Sequence, residues 1–543
     1  VVLTVVVPVY NGGPDIVENV EVIRRKVAAG LPGEQMEVVV VSDGSIDGTA
    51  ERLLESRAEK DIRVIHYDRN LGKGYAVKAG ALAGHGEWIA LVDADLDLDP
   101  AAVPAFLDVA RREGLDFAIG SKRHPASVVH YPRSRRAASW CYQQLNRALF
   151  RLDVRDTQVG LKVFRRRVAD EVLPLLLVKR FAFDLELLAV ASSRGYDKIR
   201  ELPVRLEYRF SGSGVRSLAV LGALWDTAAI FYRLRVLRTY ERKRLLFRGG
   251  VPAPEQLPPV SVVGDQSAVG LLDYPRLEGG SGEPRGELVG VLAPGSRPAG
   301  NWISAAVPFF ASPDVSAVVV PSIASNEGTL GRRVAAAVLE SRLASGSRRP
   351  VHFPGNVRKV TDHPTGDLVV RRLDYLAAKR EGVEDGRIVS WLAELGKTTV
   401  YTPDASVSAS PPPLVRPHLV ATLAHARARG ATARRTRGAS LSGASALSVA
   451  PALGAIVGVA LLVPGGPARD VGAVLLLVYA LALAASGAQA AARFHSLRVG
   501  LLQPAAVIAT QAAYLVGFVG GLTARRRRAS VADPKAAPPS QTA

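Results

Sequence analysis

The feature that most constrains the fold is an alternation. From Val1 to about Glu207, short apolar runs rich in β-branched residues, among them VVLTVVVPVY, MEVVVVSDGS and IRVIHYD, alternate with stretches of helical periodicity such as Asp15 to Ala29. Strands separated by helices pair in parallel through crossover connections, which predicts an α/β domain built on a mostly parallel sheet. Such a sheet binds ligands beyond the carboxyl ends of its strands, so chemistry is sought just after each apolar run. Val1 to Val9 has no basic flank and no small-residue cleavage site, and reads as a strand rather than a leader.

A chain of 543 residues exceeds what one ordinary core fills. Its composition shifts suggest a catalytic domain at 1–244, a linker at 245–287 rich in Pro, Gly and Ser, a second α/β-like region at 288–430, transmembrane helices at 439–524 and a basic, disordered tail at 525–543. In the second region, Ala317 to Val320 and Thr398 to Tyr401 read as strands, and Leu330 to Leu343 and Asp385 to Leu395 as helices. Residues 438–468, 471–492 and 499–524 carry no charge, and each run holds the ~20 apolar residues that cross a bilayer, so three spans are the direct count. The formal charge of +19, from 69 Lys+Arg against 50 Asp+Glu, favours an anionic partner. Arginines clustered beside the apolar runs point to membrane lipid and away from nucleic acid. A single cysteine, Cys141, excludes an intramolecular disulfide and a cysteine zinc site, which fits a reducing compartment. The expectation is a multi-pass protein of the cell membrane whose catalytic part faces the cytoplasm. Residues 217–244, aromatic and basic, are either a helix lying on the membrane surface or one packed on the catalytic core.

Asp93-Ala94-Asp95 closes the run WIALV, placing two carboxylates at a strand's carboxyl edge. Hard oxygen ligands so spaced suit Mg2+ or Mn2+ shared with a diphosphate; a solvated acidic loop is the alternative. Asn70, Gly72, Lys73 and Gly74 open a helix, where backbone amides and an ammonium suit a ligand's phosphates or base. Asp99, ahead of Pro100, reads as a helix cap.

PVYNGG, SDGSIDGT, NLGKGYAVKAG, the acidic triplet and GSKR, in that order, resemble the family 2 glycosyltransferases with a GT-A fold. DTQVGLKVFRR at 156–166, FAFDLELL at 181–188 and ELPV at 201–204 are similar to the polyprenyl- and dolichyl-phosphate glucosyl- and mannosyltransferases within it. The resemblance covers roughly residues 3–240. It implies a nucleotide-sugar donor with Pro8, Tyr10 and Asn11 at the base, Asp43 on the base or ribose, Lys73 at the phosphates and Asp93 on the ribose or metal. It implies Asp95 as metal ligand and Asp97 as a third metal-side or sugar-side group. The family's acidic pair reads Ser42-Asp43 here, and an Asx-turn or helix cap is the structural alternative for Asp43.

For the acceptor, the resemblance places Asp156 as candidate base, with Gln158 and Lys162 beside it and Phe183, Asp184 and Glu186 bordering the sugar. A phosphomonoester is already largely ionised near neutral pH, its second pKa being about 6, so Asp156 would then orient more than deprotonate; a hydroxyl acceptor would make it a true base. Arg133, Arg135 and Arg136 are suited to bidentate phosphate binding, or are solvated surface arginines. Where relatives carry Ser-Lys-Val, this chain reads Ser213-Gly214-Val215 followed by Arg216.

The region from 288 resembles the later half of a second GT-A domain in which Ala293-Pro294-Gly295 replaces the carboxylates, and Glu384-Asp385 matches the acidic pair before the last helix. With no nucleotide-binding half expected before it, it reads as a non-catalytic module. The leading expectation is inverting transfer of a hexose, from a UDP-glucose or GDP-mannose type of donor, to a polyprenyl phosphate. The other readings are transfer to a hydroxyl of a cell-envelope glycan or glycolipid, and a non-catalytic sugar-nucleotide-binding scaffold. No Gln-x-x-Arg-Trp motif supports a processive synthase. Sugar, base and oligomeric state stay open.

Overall fold

The computed structural model describes residues 1–60, 62–128, 133–178, 182–206, 217–244, 256–278, 282–325, 328–345, 349–363, 366–411, 413–435 and 443–523. It divides into two compact units, residues 1–327 with 350–410, and residues 328–349 with 411–543.

The first unit opens with the expected α/β domain. Its strands are β1 (Leu3–Val9), β2 (Met36–Asp43), β3 (Arg63–Tyr67), β4 (Trp88–Leu91), β5 (Phe117–Ser121), β6 (Lys162–Arg165) and β7 (Ile199–Pro203), in the order β3-β2-β1-β4-β6-β5-β7. β1 pairs in parallel with β2 and β4, and β6 runs antiparallel between β4 and β5. Val5, Val6, Val7 and Val38 to Val41 are buried because helices cover both faces, which is why these strands read as unbroken apolar runs. The helices are α1 (Ile16–Ala29), α2 (Thr49–Lys60), α3 (Lys73–Ala83), α4 (Val103–Arg112), α5 (Arg133–Phe150), α6 (Arg166–Val172) and α7 (Phe183–Ser193).

A second seven-stranded sheet follows in the same unit. Its chain order is β8 (Val260–Gly264), β9 (Leu277–Glu278), β10 (Leu288–Leu292), β11 (Arg297–Pro298), β12 (Val315–Val319), β13 (Ser322–Ala324), β14 (Arg358–Val360), β15 (Leu368–Arg371), β16 (Thr398–Tyr401) and β17 (Val407–Ala409), of which β11, β17 and β13 form a small separate sheet. The order β9-β8-β10-β15-β12-β16 repeats β2-β1-β4-β6-β5-β7, with every pair keeping its parallel or antiparallel sense. β14, on the far edge, is an addition.

This repeat corrects two expectations. The stretch 245–287 is not a linker throughout, since β8 is an inner strand and β9 an edge strand of the second sheet. A shortened counterpart of β1 and β2 therefore does precede the second region. Its strands are five and two residues long and bracketed by turn formers, so they leave little periodic signal. Register fixes the correspondence: Leu91 faces Lys162 across β4 and β6, and Val291 faces Leu368 across β10 and β15. Asp93 thus corresponds to Ala293, and the carboxylates are absent from the second sheet's triplet.

Residues 217–244 form the helix Ser217–Phe231, a π turn at Tyr232–Val236 and the helix Thr239–Arg244. Ile230 and Tyr240 are buried in the first domain's core, while Trp225, Tyr232 and Val236 are exposed.

In the second unit, helices Gly466–Phe494 and Leu497–Thr523 are, among the described residues, the two long and apolar enough to cross a membrane. The expected first span forms the helix Gly443–Leu461, which contains Pro451, and among the described residues Ala450–Leu461 is a shorter apolar helix. Helix Leu330–Glu340 belongs to this unit, where Ser341 bonds Ser486 at 3.0 Å and Glu340 pairs with Arg493 at 3.5 Å. The tail at 525–543 lies outside the described residues.

Candidate active site

The ends of β1 and β2 and the start of α3 enclose a cleft of about 380 Å³ lined by Pro8, Val9, Tyr10, Asp43, Asn70, Gly72, Lys73 and Ala76. Four residues expected at the donor, Pro8, Tyr10, Asp43 and Lys73, meet here. Its geometry is set by two loops pressed together. Gly44, at φ +66°, lies so close to the Arg69–Asn70 backbone that no side chain fits. The Asp43 carboxylate accepts the amides of Leu71 at 2.7 Å and Gly72 at 2.8 Å. Asp43 therefore caps the entry to α3 from across the sheet edge while also lining the cleft.

Asn11 does not line the cleft. In the left-handed region at φ 52°, it accepts the Ile46 amide on Oδ1 at 3.0 Å, and its own amide donates to Ser45 Oγ at 3.1 Å. It ties PVYNGG to SDGS and so shapes the wall behind Tyr10.

Lys73, the first residue of α3, reaches Asp93 at 2.5 Å. Burial works against its ammonium, but Asp93, with Asp184 and then Asp95 adding to it, outweighs that and holds the pKa above its ordinary value. The pKa of Asp95 is also raised, which for a carboxylate disfavours the charged form. Desolvation is the largest cause of its raised pKa, the Asp97 amide bond opposes it, and the charges of Asp93 and Asp97 reinforce it. That bond, Asp97 N to Asp95 Oδ1 at 3.1 Å, forms because Leu96 turns the chain through the left-handed region at φ 59°. Asp93 and Asp97 thus crowd a carboxylate that resists ionisation, and a divalent cation bound there would relieve that crowding. No cluster of three or more metal-binding side chains occurs among the described residues. A site that uses one or two carboxylates and takes its other ligands from substrate phosphates has this character.

The segment Asp156–Gly160 flanks the same edge. Asp156 Oδ2 accepts the Lys122 amide at 3.1 Å just beyond β5, while Glu201 accepts the amides of Arg155 and Asp156, each at 2.9 Å. Gln158 is exposed and donates its amide to Asp156 Oδ1 at 3.3 Å. Gly160 packs directly on the Asp93 carboxylate.

Lys162 belongs to the interior, not to an acceptor surface. It is 1% exposed, pairs with Asp184 at 2.7 Å and also donates to the Val159 carbonyl. Phe183 packs against Gly74, so α7 abuts the start of α3. Glu186, fully buried, accepts the amides of Leu177 and Val178 and the Tyr240 hydroxyl. These positions support the site from beneath; for Lys162 the only sequence cue was its place inside a β-strand whose neighbours are apolar. Arg133 and Arg136 lie on α5, with side chains outside the described residues, and Ser213 and Arg216 fall outside them altogether.

The family described as Glycosyl transferase family 2 matches residues 4–173. The chain is 32% identical over 207 residues to glycosyltransferase AglD of Haloferax volcanii, covering 38% of this chain and 33% of that protein. It is 34% identical over 218 residues to dolichyl-phosphate beta-glucosyltransferase ALG5C of Trichomonas vaginalis, covering 37% of this chain and 62% of that one. The chain thus spans between a third and somewhat under two thirds of these relatives. Among solved structures, glucosyl-3-phosphoglycerate synthase of Mycobacterium tuberculosis in complex with UDP is 18% identical, covers 42% of this chain and 79% of its own, and has a TM-score of 0.33. The family model thus places a domain similar to Glycosyl transferase family 2 at residues 4–173 of this chain.

Proposed function

We propose that the protein is a membrane-associated, inverting hexosyltransferase that moves a sugar from a nucleoside diphosphate sugar to a polyprenyl phosphate. The observation that carries this is the joining of the Pro8-Tyr10-Asp43 cleft to the Lys73–Asp93 pair and the acidic triplet along one sheet edge. The base and ribose fit the cleft walled by Pro8, Tyr10 and Asp43. The diphosphate falls beside Lys73 and the amides at the start of α3, where positive charge is already fixed in place. Asp93 and Asp95, with Asp97 beside them, would hold Mg2+ or Mn2+, which neutralises charge on the departing diphosphate.

In the reaction an acceptor oxygen attacks the anomeric carbon from the face opposite the diphosphate. The new carbon–oxygen bond forms as the old one breaks, and the diphosphate leaves with the electron pair, so configuration inverts. A polyprenyl phosphate is ionised already, and Asp156, held by the Lys122 and Gln158 amides, orients it. The lipid-phosphate acceptor is supported by the similarity to the dolichyl-phosphate beta-glucosyltransferase of Trichomonas. Association with the membrane is supported by the two long apolar helices. We place the catalytic domain on the cytoplasmic side, from the single cysteine and the arginines beside the apolar runs.

The test is a donor screen with a short polyprenyl phosphate and Mn2+. Transfer of label into a chloroform-soluble, mild-acid-labile product supports the proposal. Label on a hydroxyl-linked, acid-stable product would instead assign a glycan or glycolipid acceptor, and no transfer with any donor would leave a binding scaffold.

A further inference from the structure

α3 begins at the donor cleft and ends beneath the second sheet region. At its start, Leu71 and Gly72 give their amides to Asp43, and Lys73 pairs with Asp93. Five residues on, Lys78 is only 6% exposed and points into the junction, where it meets Asp404, 4% exposed, at 2.5 Å. It also donates to the Pro174 carbonyl, at the longer distance of 3.3 Å. Between them, the Tyr75 hydroxyl lies beside Ser406 of the second region, and its ring packs edge-on to Tyr67, with centroids 5.3 Å apart. Ile323 of the second region shares one core with Leu71, Tyr75 and Ala76.

The repeat shows what is special about Asp404. Ile119 faces Glu201 across β5 and β7, and Val319 faces Tyr401 across β12 and β16. Asp404 thus stands where the first domain has Val204, so the second region carries a buried carboxylate in place of an apolar residue. An ion pair at such depth is tolerated only when both partners are held in register. Nearly every residue of α3 is buried, so a displacement at Lys78 carries to Lys73 as the movement of one rigid rod.

We infer that the metal-less second region is a built-in positioning element for the donor site, with the buried Lys78–Asp404 pair registering α3 and thereby the nucleoside diphosphate contacts at its start. This rests on the donor reading above. Lys78 and Asp404 are positioning residues that touch no substrate. The junction also contains the Arg63–Asp273 pair at 2.6 Å, at the far end of α3, where Arg63 of β3 donates to the Ala83 carbonyl at 2.8 Å, away from the contacts at Lys73. It therefore separates positioning from simple adhesion.

The experiment uses the full chain in detergent and measures UDP and GDP affinity in the presence of Mn2+ by calorimetry, alongside melting temperature. Asp404→Asn and Lys78→Met are expected to weaken nucleotide binding about tenfold, with donor KM rising and acceptor KM unchanged, whereas Asp404→Glu keeps affinity within about threefold. Asp273→Asn should lower the melting temperature and leave nucleotide affinity within about twofold. If Asp404→Asn does not fold, Tyr75→Phe, which deletes one hydroxyl, is expected to weaken binding about threefold. Unchanged affinity in the α3-facing variants, or an equal loss in Asp273→Asn, overturns the inference. Failure of the unmodified protein to bind either nucleotide overturns the donor reading itself, and this inference with it.

Discussion

Gly160 rests so closely on the Asp93 carboxylate that any side chain at that position would collide with it. The acidic triplet and the DTQVG segment are therefore one structure, although 67 positions separate the two residues. The corresponding glycine of the second sheet, Gly366, lies against the Cβ atoms of Ala293 and Asp385, where a side chain would meet only ordinary contact.

Gly160→Ala should displace Asp93 while leaving the fold intact. Turnover is expected to fall on the order of 100-fold, as misplacement of a reacting group by about 1 Å does. Kinetics beside a melting curve check this; retained activity would show that the contact is dispensable.

Lys162→Met removes one partner of a buried pair and strands Asp184. A loss of roughly 3–5 kcal/mol in stability is expected, because the remaining charge is left uncompensated. Denaturant titration measures it. A variant of normal stability with a raised acceptor KM would return Lys162 to the acceptor site.

Glu37 gives the acid sensitivity of the domain. Burial alone would raise its pKa, but hydrogen bonds from His85 and Thr4 and the charge of Arg63 outweigh this and bring it from 4.5 to about 2. A carboxyl group with a lowered pKa stabilises the fold fully above its unfolded value and loses that contribution as pH falls through the folded one. Stability should therefore decline between about pH 4.5 and 2, and Glu37→Gln should cost at most roughly 3 kcal/mol at pH 7. Melting of both proteins across this range checks it, with the difference expected to shrink towards pH 2.

Replacing Glu384 and Asp385 together by Gln and Asn should leave donor turnover within about twofold, since Asp385 pairs with Lys379 at 2.6 Å in a region whose triplet has no carboxylates. Loss of turnover would mean that the second region contributes chemistry of its own.

What could be read from the sequence follows from how each feature is encoded. The Val-rich runs of β1 and β2 and the motifs at their carboxyl ends are local patterns, and the sheet order brings Pro8, Tyr10, Asp43 and Lys73 into one cleft. β8 and β9 were hidden, because short strands among Pro and Gly acquire their identity from pairing with β10. The direction of Lys162 was hidden as well. A lysine in a stretch that resembles a family motif reads as a phosphate ligand until Asp184, 22 positions away, is seen to meet it inside the core. Asp404 gave no signal, since its importance lies in a partner, Lys78, from another domain.

The central claim is that the carboxylate pair at the tip of β4 supports departure of a nucleoside diphosphate. It is tested most directly by comparing sugar transfer to a short polyprenyl phosphate by the unmodified protein and by Asp95→Asn across a Mn2+ titration. The expected result is a fall on the order of 10²–10³-fold that excess Mn2+ does not restore, with melting temperature retained. Normal transfer by Asp95→Asn at any Mn2+ concentration would contradict the account.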